Sequence, residues 1–157
     1  EMLDYLSRSG YGEATSVAEI LFRFGHLVAQ PGLLIILSDL LSDDPEPLAE
    51  QVRSLISRGW DVHDVQVLDP AEQQPDLVFA GATSQEPVTL LDSESGAQVL
   101  MMPGDTSSDA YRAAFDPWQA EMRMALGRAG AHWLTLTTEM PLEPTALHLL
   151  HEIGILS

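Results

Sequence analysis

Hydrophobic residues along this chain form unbroken runs in some segments and stripes with helical spacing in others. The clearest run is Leu33–Leu37, five consecutive large apolar residues between a Pro31-Gly32 turn and the polar pair Ser38-Asp39. A half-buried strand would alternate apolar and polar residues, whereas an unbroken run is typical of a strand buried on both faces. The run predicts a strand at residues 33–38, and two further stretches rich in apolar residues predict parallel strands at 61–68 and 132–137.

Between these runs, apolar residues recur every three or four positions, which predicts amphipathic helices. Ser16 and Glu19 have the spacing of a capping box and predict the start of a first helix. Asp44-Pro45 fits the N-cap and the first position of a second helix. A long helical stretch is predicted at about 107–128. Pro117 should break or kink it, because proline lacks the backbone donor.

The order of these elements predicts an α/β fold. A strand, a helix and a second strand in succession imply a right-handed crossover between parallel strands. Two shorter apolar stretches within residues 88–102 flank Asp92–Gly96 and predict a small antiparallel hairpin. The length of 157 residues suits a single domain.

The charge balance limits the partners of the chain. It has 24 acidic residues against seven basic ones, all of them Arg, and a net charge of −17. Phosphate backbones and anionic lipids would be repelled, so nucleic-acid and membrane-surface binding are not expected. The absence of Cys excludes disulfides and zinc–thiolate sites, and the absence of Lys excludes a lysine-containing phosphate-binding loop.

Some groups of acids and histidines have the composition of a metal or acid–base site. Asp61, His63 and Asp64 are close in sequence, but their position at the start of a strand favours a solvated edge. His148 and His151 lie three residues apart on the last predicted helix, a spacing that suits a transition-metal chelate. No third ligand is evident for that pair.

Acids also follow two of the predicted strands. Asp39 and Asp69 lie at carboxyl ends, where open α/β sheets bind ligands. This leaves open a metal-dependent hydrolase that uses Asp39 with Asp69 or His63, although no nucleophile is recognisable. Asp43 and Asp44 could extend a metal cluster around Asp39, but their position before a proline favours helix capping.

Several short sequence segments, spread over nearly the whole chain, form a recognisable combination. They are Gly12–Thr15, Leu37–Leu41, Arg58–Val62, Gln66–Glu72, Leu91–Gly96, Tyr111 and Thr138–Leu142. In this combination the chain resembles the C-terminal part of the bacterial proteins called domain of unknown function 58, which are von Willebrand factor A-like. The most specific phrases are those that contain Ser38-Asp39 and Asp69-Pro70.

The resemblance implies a three-layer, doubly wound, Rossmann-like parallel sheet with a metal-ion-dependent adhesion site at its carboxyl edge. In complete domains of this kind three loops bind one divalent cation, such as Mg²⁺ or Mn²⁺. The first loop carries an Asp-x-Ser-x-Ser motif, the second a threonine and the third an aspartate. Thr15 matches the second position and Asp39 matches the third.

The chain departs from this pattern in the first loop. No Asp-x-Ser-x-Ser follows an apolar strand, and Asp92-Ser93-Glu94-Ser95 belongs to the predicted hairpin turn. The motif and its strand are expected to lie upstream of Glu1, so residues 1–157 are interpreted as a truncated domain. Mg²⁺ prefers near-octahedral oxygen coordination, and Thr15 with Asp39 is too small a set to hold it strongly. We therefore expect no bound cofactor in this fragment.

The resemblance also implies a function. Proteins of this kind accompany MoxR-type AAA+ ATPases and are thought to act in the assembly of other complexes. The expectation is a non-catalytic protein-interaction module, cytoplasmic in a bacterium, with a membrane tether in the full-length parent. Without the upstream strand, Leu33–Leu37 would become a sheet edge, so self-association is expected as well.

Overall fold

The computed structural model describes residues 16–41, 43–74, 76–77, 88–91, 98–101 and 107–152. Helices and strands alternate along most of this sequence. In chain order the elements are α1 (Val17–Leu27), β1 (Leu33–Ser38), α2 (Pro45–Ser57), β2 (Asp61–Leu68), α3 (Pro70–Gln73), β3 (Val88–Leu91), β4 (Gln98–Met101), α4 (Ser107–Ala129), β5 (His132–Thr137) and α5 (Leu142–Glu152).

A three-stranded parallel sheet with the order β1-β2-β5 forms the centre of the structure. Its strands match the three predicted at residues 33–38, 61–68 and 132–137, and the α/β class with a Rossmann-like layout is confirmed. The register pairs Leu33 with Asp61 and His63 with His132. The amino ends of β2 and β5 therefore lie side by side, and their carboxyl ends meet at the opposite edge.

One face of the sheet packs against helices and carries the main hydrophobic core. Helix α2 contacts both α1 and α4. The apolar side chains that meet there are buried, because each strand and helix contributes one apolar stripe. They include Ile36, Val62, Leu48, Val52, Leu55, Met122 and Leu126.

The second face of the sheet is covered less evenly. Val65 of the central strand is buried, but Leu37 is 66% exposed. Leu134 and Leu136 are half-buried and line a cavity together with Pro144 of α5. The continuous apolar run in β1 predicted burial on both faces. For Leu37 this is wrong in the described structure, because β1 is an outer strand with its core on the helical face.

Local sequence signals set the helix boundaries. The Ser16 hydroxyl accepts a hydrogen bond from the Glu19 N–H at 3.3 Å, as expected of an N-cap. Gly59, at φ +93°, follows α2 in the left-handed conformation that glycine adopts at no steric cost. Of the break or kink predicted at Pro117, the break does not occur: α4 continues past this residue and buries Phe115 and Met122 on either side of it.

Strands β3 and β4 form a separate two-stranded antiparallel sheet, in which Val88 pairs with Met101 and Leu91 with Gln98. The turn residues 92–97 lie outside the described part of the chain. Of the helices that are described, none combines the length and apolar character needed to cross a membrane.

Candidate functional site

The carboxyl edge of the sheet carries the predicted site residue Asp39, directly after β1. Its Oδ1 accepts a hydrogen bond from the Leu41 N–H at 3.1 Å, and the Ser38 hydroxyl accepts one from the Leu40 N–H at 3.1 Å. These two bonds fold the chain sharply as it leaves the strand. The turn fixes Asp39 at the edge with its side chain half-buried.

Leu40 has an unusual backbone conformation. It is the only non-glycine residue with positive φ in the described structure, at φ 62°. The left-handed region costs a side chain about 1–2 kcal/mol, because Cβ approaches the following carbonyl oxygen. Burial offsets this cost, since Leu40 is only 1% exposed and belongs to the core beneath the helices. The strained residue thus locks the turn that presents Asp39.

Two glutamines connect Asp39 to α4. Gln119 donates to the Gln66 side-chain oxygen at 2.8 Å, and the Gln66 amide donates to the Asp39 carbonyl at 3.1 Å. Gln66 is fully buried on the central strand. These two hydrogen bonds give the buried Gln66 side-chain amide both a donor and an acceptor as partners. They also hold the Asp39 backbone against the sheet.

Asp43 brings a second element to this edge. Its two carboxylate oxygens accept hydrogen bonds from the N–H groups of Val17 and Ala18, at 3.0 and 3.1 Å. The carboxylate is 4% exposed and lies at the positive end of the α1 dipole. The sequence favoured capping for Asp43 and Asp44. Asp44 is indeed the N-cap residue of α2, although without a side-chain bond, but Asp43 caps α1 instead.

Thr15 lies outside the described residues, so its predicted approach to Asp39 stays a prediction. The residue that follows it, Ser16, is described and is the N-cap of α1. The Asp43 carboxylate binds the first two helical residues after Ser16. The start of α1 therefore lies beside the loop that follows Asp39.

Asp69, at the end of β2, has a structural role. Its Oδ1 accepts from the Ala71 N–H at 2.9 Å, and its Oδ2 accepts from the Thr138 hydroxyl at 3.1 Å. Glu72 completes a capping box with it at the start of α3. Partial burial raises the pKa of Glu72. The hydrogen bond from the Asp69 N–H opposes this shift, and the charges of Asp39 and Asp69 add to it.

The hypothesis of a hydrolase site that combines Asp39 with His63 is wrong, because the two residues lie far apart. The sheet register sets His63 opposite Ile35, four residues before Asp39 along the strand direction. At about 3.3 Å per residue this separates them by roughly 13 Å. His63 lies near the amino end of β2, whereas Asp39 follows the carboxyl end of β1.

Asp61, His63 and Asp64 do not form one group. Asp64 faces the helices, between Ile36 and Trp133 of the flanking strands, and is 1% exposed. Burial raises its pKa to about 7, and neither oxygen has a hydrogen-bond partner among the described residues. The solvated edge predicted for the three residues is confirmed for Asp61 only, since His63 is also buried.

Asp61 and His63, two of the three residues considered from the sequence, join a residue that the sequence did not reveal, His132, at the amino edge and on the face opposite Asp64. Asp61, His63 and His132 each offer one potential ligand atom, and all three atoms lie within 4.8 Å of one another. His132 is 69 positions after His63 in the sequence, so its place beside His63 could be predicted only from the register of β2 with β5. In the described residues, no such group of three contains His148 or His151.

Comparisons with protein-family models, with curated proteins and with solved structures found no match to this chain.

Proposed function

We propose that this chain is a non-catalytic protein-interaction module of the von Willebrand factor A type, with its contact surface at the carboxyl edge around Asp39. The observation that carries the proposal is the bond between Asp43 and the start of α1. It brings the start of α1 to the edge that carries the half-buried Asp39. The sequence resemblance assigns Thr15 to the second loop of the site and Asp39 to the third.

The chemistry of Asp39 is compatible with a divalent cation. Its Oδ1 is used in the turn, while no hydrogen bond to its Oδ2 occurs within the described residues. A carboxylate oxygen is the ligand that Mg²⁺ and Mn²⁺ prefer. Asp39 and Thr15 alone would leave most coordination positions to water, so the cation would bind weakly unless a further loop or a partner supplies oxygens.

Catalysis has less support than binding. The remaining hydrolase hypothesis pairs Asp39 with Asp69, but both Asp69 oxygens already accept hydrogen bonds that shape the start of α3 and the segment after β5. A carboxylate committed to two structural bonds is a poor general base, since proton transfer would break them. We therefore favour a module that binds a protein, and the resemblance makes a MoxR-type AAA+ ATPase the first partner to examine.

The test measures binding of the chain to a MoxR-type ATPase from the same bacterium by sedimentation velocity, with Mg²⁺ or with EDTA. Asp39→Ala should reduce the affinity by roughly tenfold or more, as expected for a central polar contact. Asp44→Ala is the matched control, because it removes an exposed acid near the same edge that makes no side-chain cap bond. Equal binding by the wild type and Asp39→Ala would contradict the proposal.

A further inference from the structure

Three side chains that can bind a metal share one face at the amino edge of the sheet. Asp61 and His63 are two residues apart on β2, so both point to the same side. His132 is the first residue of β5 and is the register partner of His63. The cluster thus joins two neighbouring strands, on the face opposite the helical core.

The distances are close to those of a coordination site. His63 Nε2 lies 3.1 Å from Asp61 Oδ1, and the rings of His63 and His132 stack at 4.5 Å with an angle of 14° between their planes. Ligand atoms about 2.0–2.1 Å from a tetrahedral metal lie roughly 3.3 Å from one another. The three atoms here are within 4.8 Å, so small side-chain rotations would bring them into that geometry.

The Nε2 atom of His63 lacks a partner. His63 is 6% exposed, and this nitrogen makes no hydrogen bond to any described residue. The Asp61 carboxylate is near, but the two groups do not have the alignment that a hydrogen bond requires. Leaving a buried polar nitrogen without a partner destabilises the fold, and a metal ion at this point would supply that partner.

Access and charge both favour a cation. The side chain of Asp61 is 60% exposed and His132 is exposed, so an ion could enter from solvent and contact the buried His63. Asp61 supplies one negative charge directly, and the net charge of −17 attracts cations to the whole chain.

We propose that Asp61, His63 and His132 form a binding site for one transition-metal dication of the Zn²⁺ class. Imidazole and carboxylate ligands suit Zn²⁺, Ni²⁺, Co²⁺ and Cu²⁺, whereas Mg²⁺ prefers a set of oxygen ligands. Three protein ligands leave at least one position for water. The ion would link β2 to β5 and stabilise the parallel sheet against unfolding, because it binds the folded chain only. This site is at the opposite end of the sheet from Asp39 and does not depend on the proposed interaction function.

The test titrates Zn²⁺ into the EDTA-treated 157-residue chain by calorimetry and follows thermal unfolding with and without the ion. We expect one equivalent to bind and to raise the melting temperature, and Mg²⁺ to have no such effect. Co²⁺ should give the visible absorption bands of a site with nitrogen and oxygen ligands. Absence of Zn²⁺ binding would overturn the proposal.

The variants separate this site from general binding to surface histidines. His132→Ala removes an exposed ligand and should lower the affinity for Zn²⁺ by roughly tenfold or more. Removing a residue that only hydrogen-bonds to a metal ligand already causes a loss of that size. Asp61→Asn should also lower the affinity for Zn²⁺, because it removes the negative charge of the carboxylate ligand. His148→Ala is the matched control, because His148 and His151 form the other histidine pair at chelating spacing, and it should leave the affinity within about twofold. A loss of affinity in His148→Ala with none in His132→Ala would assign the ion to α5 and overturn the proposal.

Discussion

Asp43 and Arg58, which lie just before and just after α2, bind opposite ends of α1. Asp43 accepts hydrogen bonds from the N–H groups of Val17 and Ala18, while the Arg58 guanidinium donates to the carbonyls of Gly25 and Val28. An anion therefore binds the helix N-terminus and a cation its C-terminus, as the helix dipole favours. This arrangement fixes α1 along α2 and determines which residues reach the carboxyl edge of the sheet.

The first prediction concerns this clamp. We expect Asp43→Ala to lower the free energy of unfolding by about 1–3 kcal/mol, because two backbone N–H groups lose a buried charged acceptor. Asp44→Ala is the control, and its effect should stay within roughly 0.5 kcal/mol, since Asp44 is exposed and makes no side-chain cap bond. Urea unfolding followed by circular dichroism measures both. Similar losses in the two variants would mean that Asp43 is not the group that anchors α1.

The second prediction follows from the buried Asp64. Burial raises its pKa from 3.8 to about 7 in the folded chain. Below pH 3.8 the carboxyl is protonated in both the folded and unfolded states, and its contribution to stability is fully present. As the pH rises towards 7, the unfolded chain releases this proton while the folded chain keeps it. The free energy of unfolding then falls by roughly 1.4 kcal/mol per pH unit, until the loss is complete above the folded pKa.

Asp64→Asn tests this dependence, because asparagine has nearly the shape of the protonated carboxyl and does not titrate. Between about pH 5 and pH 8 the wild type should lose roughly 2–3 kcal/mol more stability than the variant. Asp109→Asn, which replaces an exposed acid on α4, should keep the wild-type pH dependence. The measurement is urea unfolding at both pH values. Parallel pH curves for the wild type and Asp64→Asn would show that Asp64 is ionised in the folded chain.

The third prediction distinguishes the two faces of the sheet. Leu48 of α2 is completely buried, and Leu48→Ala should cost about 2–5 kcal/mol through lost contacts and the cavity left behind. Leu37 of β1 is 66% exposed, and Leu37→Ala should change the free energy of unfolding by less than about 0.5 kcal/mol. Denaturant midpoints of the two variants give the comparison. A large loss in Leu37→Ala would mean that the second face of β1 is covered in solution.

The sequence predicted those parts of the fold that depend on local patterns. Neighbouring residues alone determine the strand at 33–38, the Ser16 cap and the helix start at Asp44-Pro45. The structure has all three where they were predicted. Asp39 at the end of β1 also follows from a local pattern, because a polar residue after a buried run marks a strand end.

The remaining features depend on contacts between distant segments. His132 joins Asp61 and His63 only through the register of β2 with β5. Asp43 caps α1 and not its own helix because the two helices pack side by side, 26 residues apart along the chain from Asp43 to Val17. Aspartate is an acidic residue type that is usually exposed, so Asp64 would be assigned to the surface from its sequence. The alternation of side chains along β2 instead turns it towards the helices.

The last prediction concerns the outer edge of β1. In the described part of the chain β1 pairs with β2 alone, and Leu33 and Leu37 are exposed beside its free N–H and C=O groups. Such an edge is a template for a strand of a second copy, because neither charge nor proline interrupts Leu33–Leu37. The net charge of −17 opposes association, but salt screens it beyond about 8–10 Å.

We therefore expect the 157-residue chain to self-associate in equilibrium sedimentation, and more strongly as the salt concentration rises. Leu37→Lys should shift the equilibrium towards the monomer, since a lysine on an edge strand would have to be desolvated or repelled when two edges pair. Leu27→Lys is the matched control, because it places the same charge on an apolar residue that is 83% exposed at the end of α1. If the wild type remains a monomer at high concentration and high salt, the outer edge of β1 is already paired or covered within one chain. If Leu27→Lys dissociates the assembly and Leu37→Lys does not, the contact is made by α1 and not by the strand.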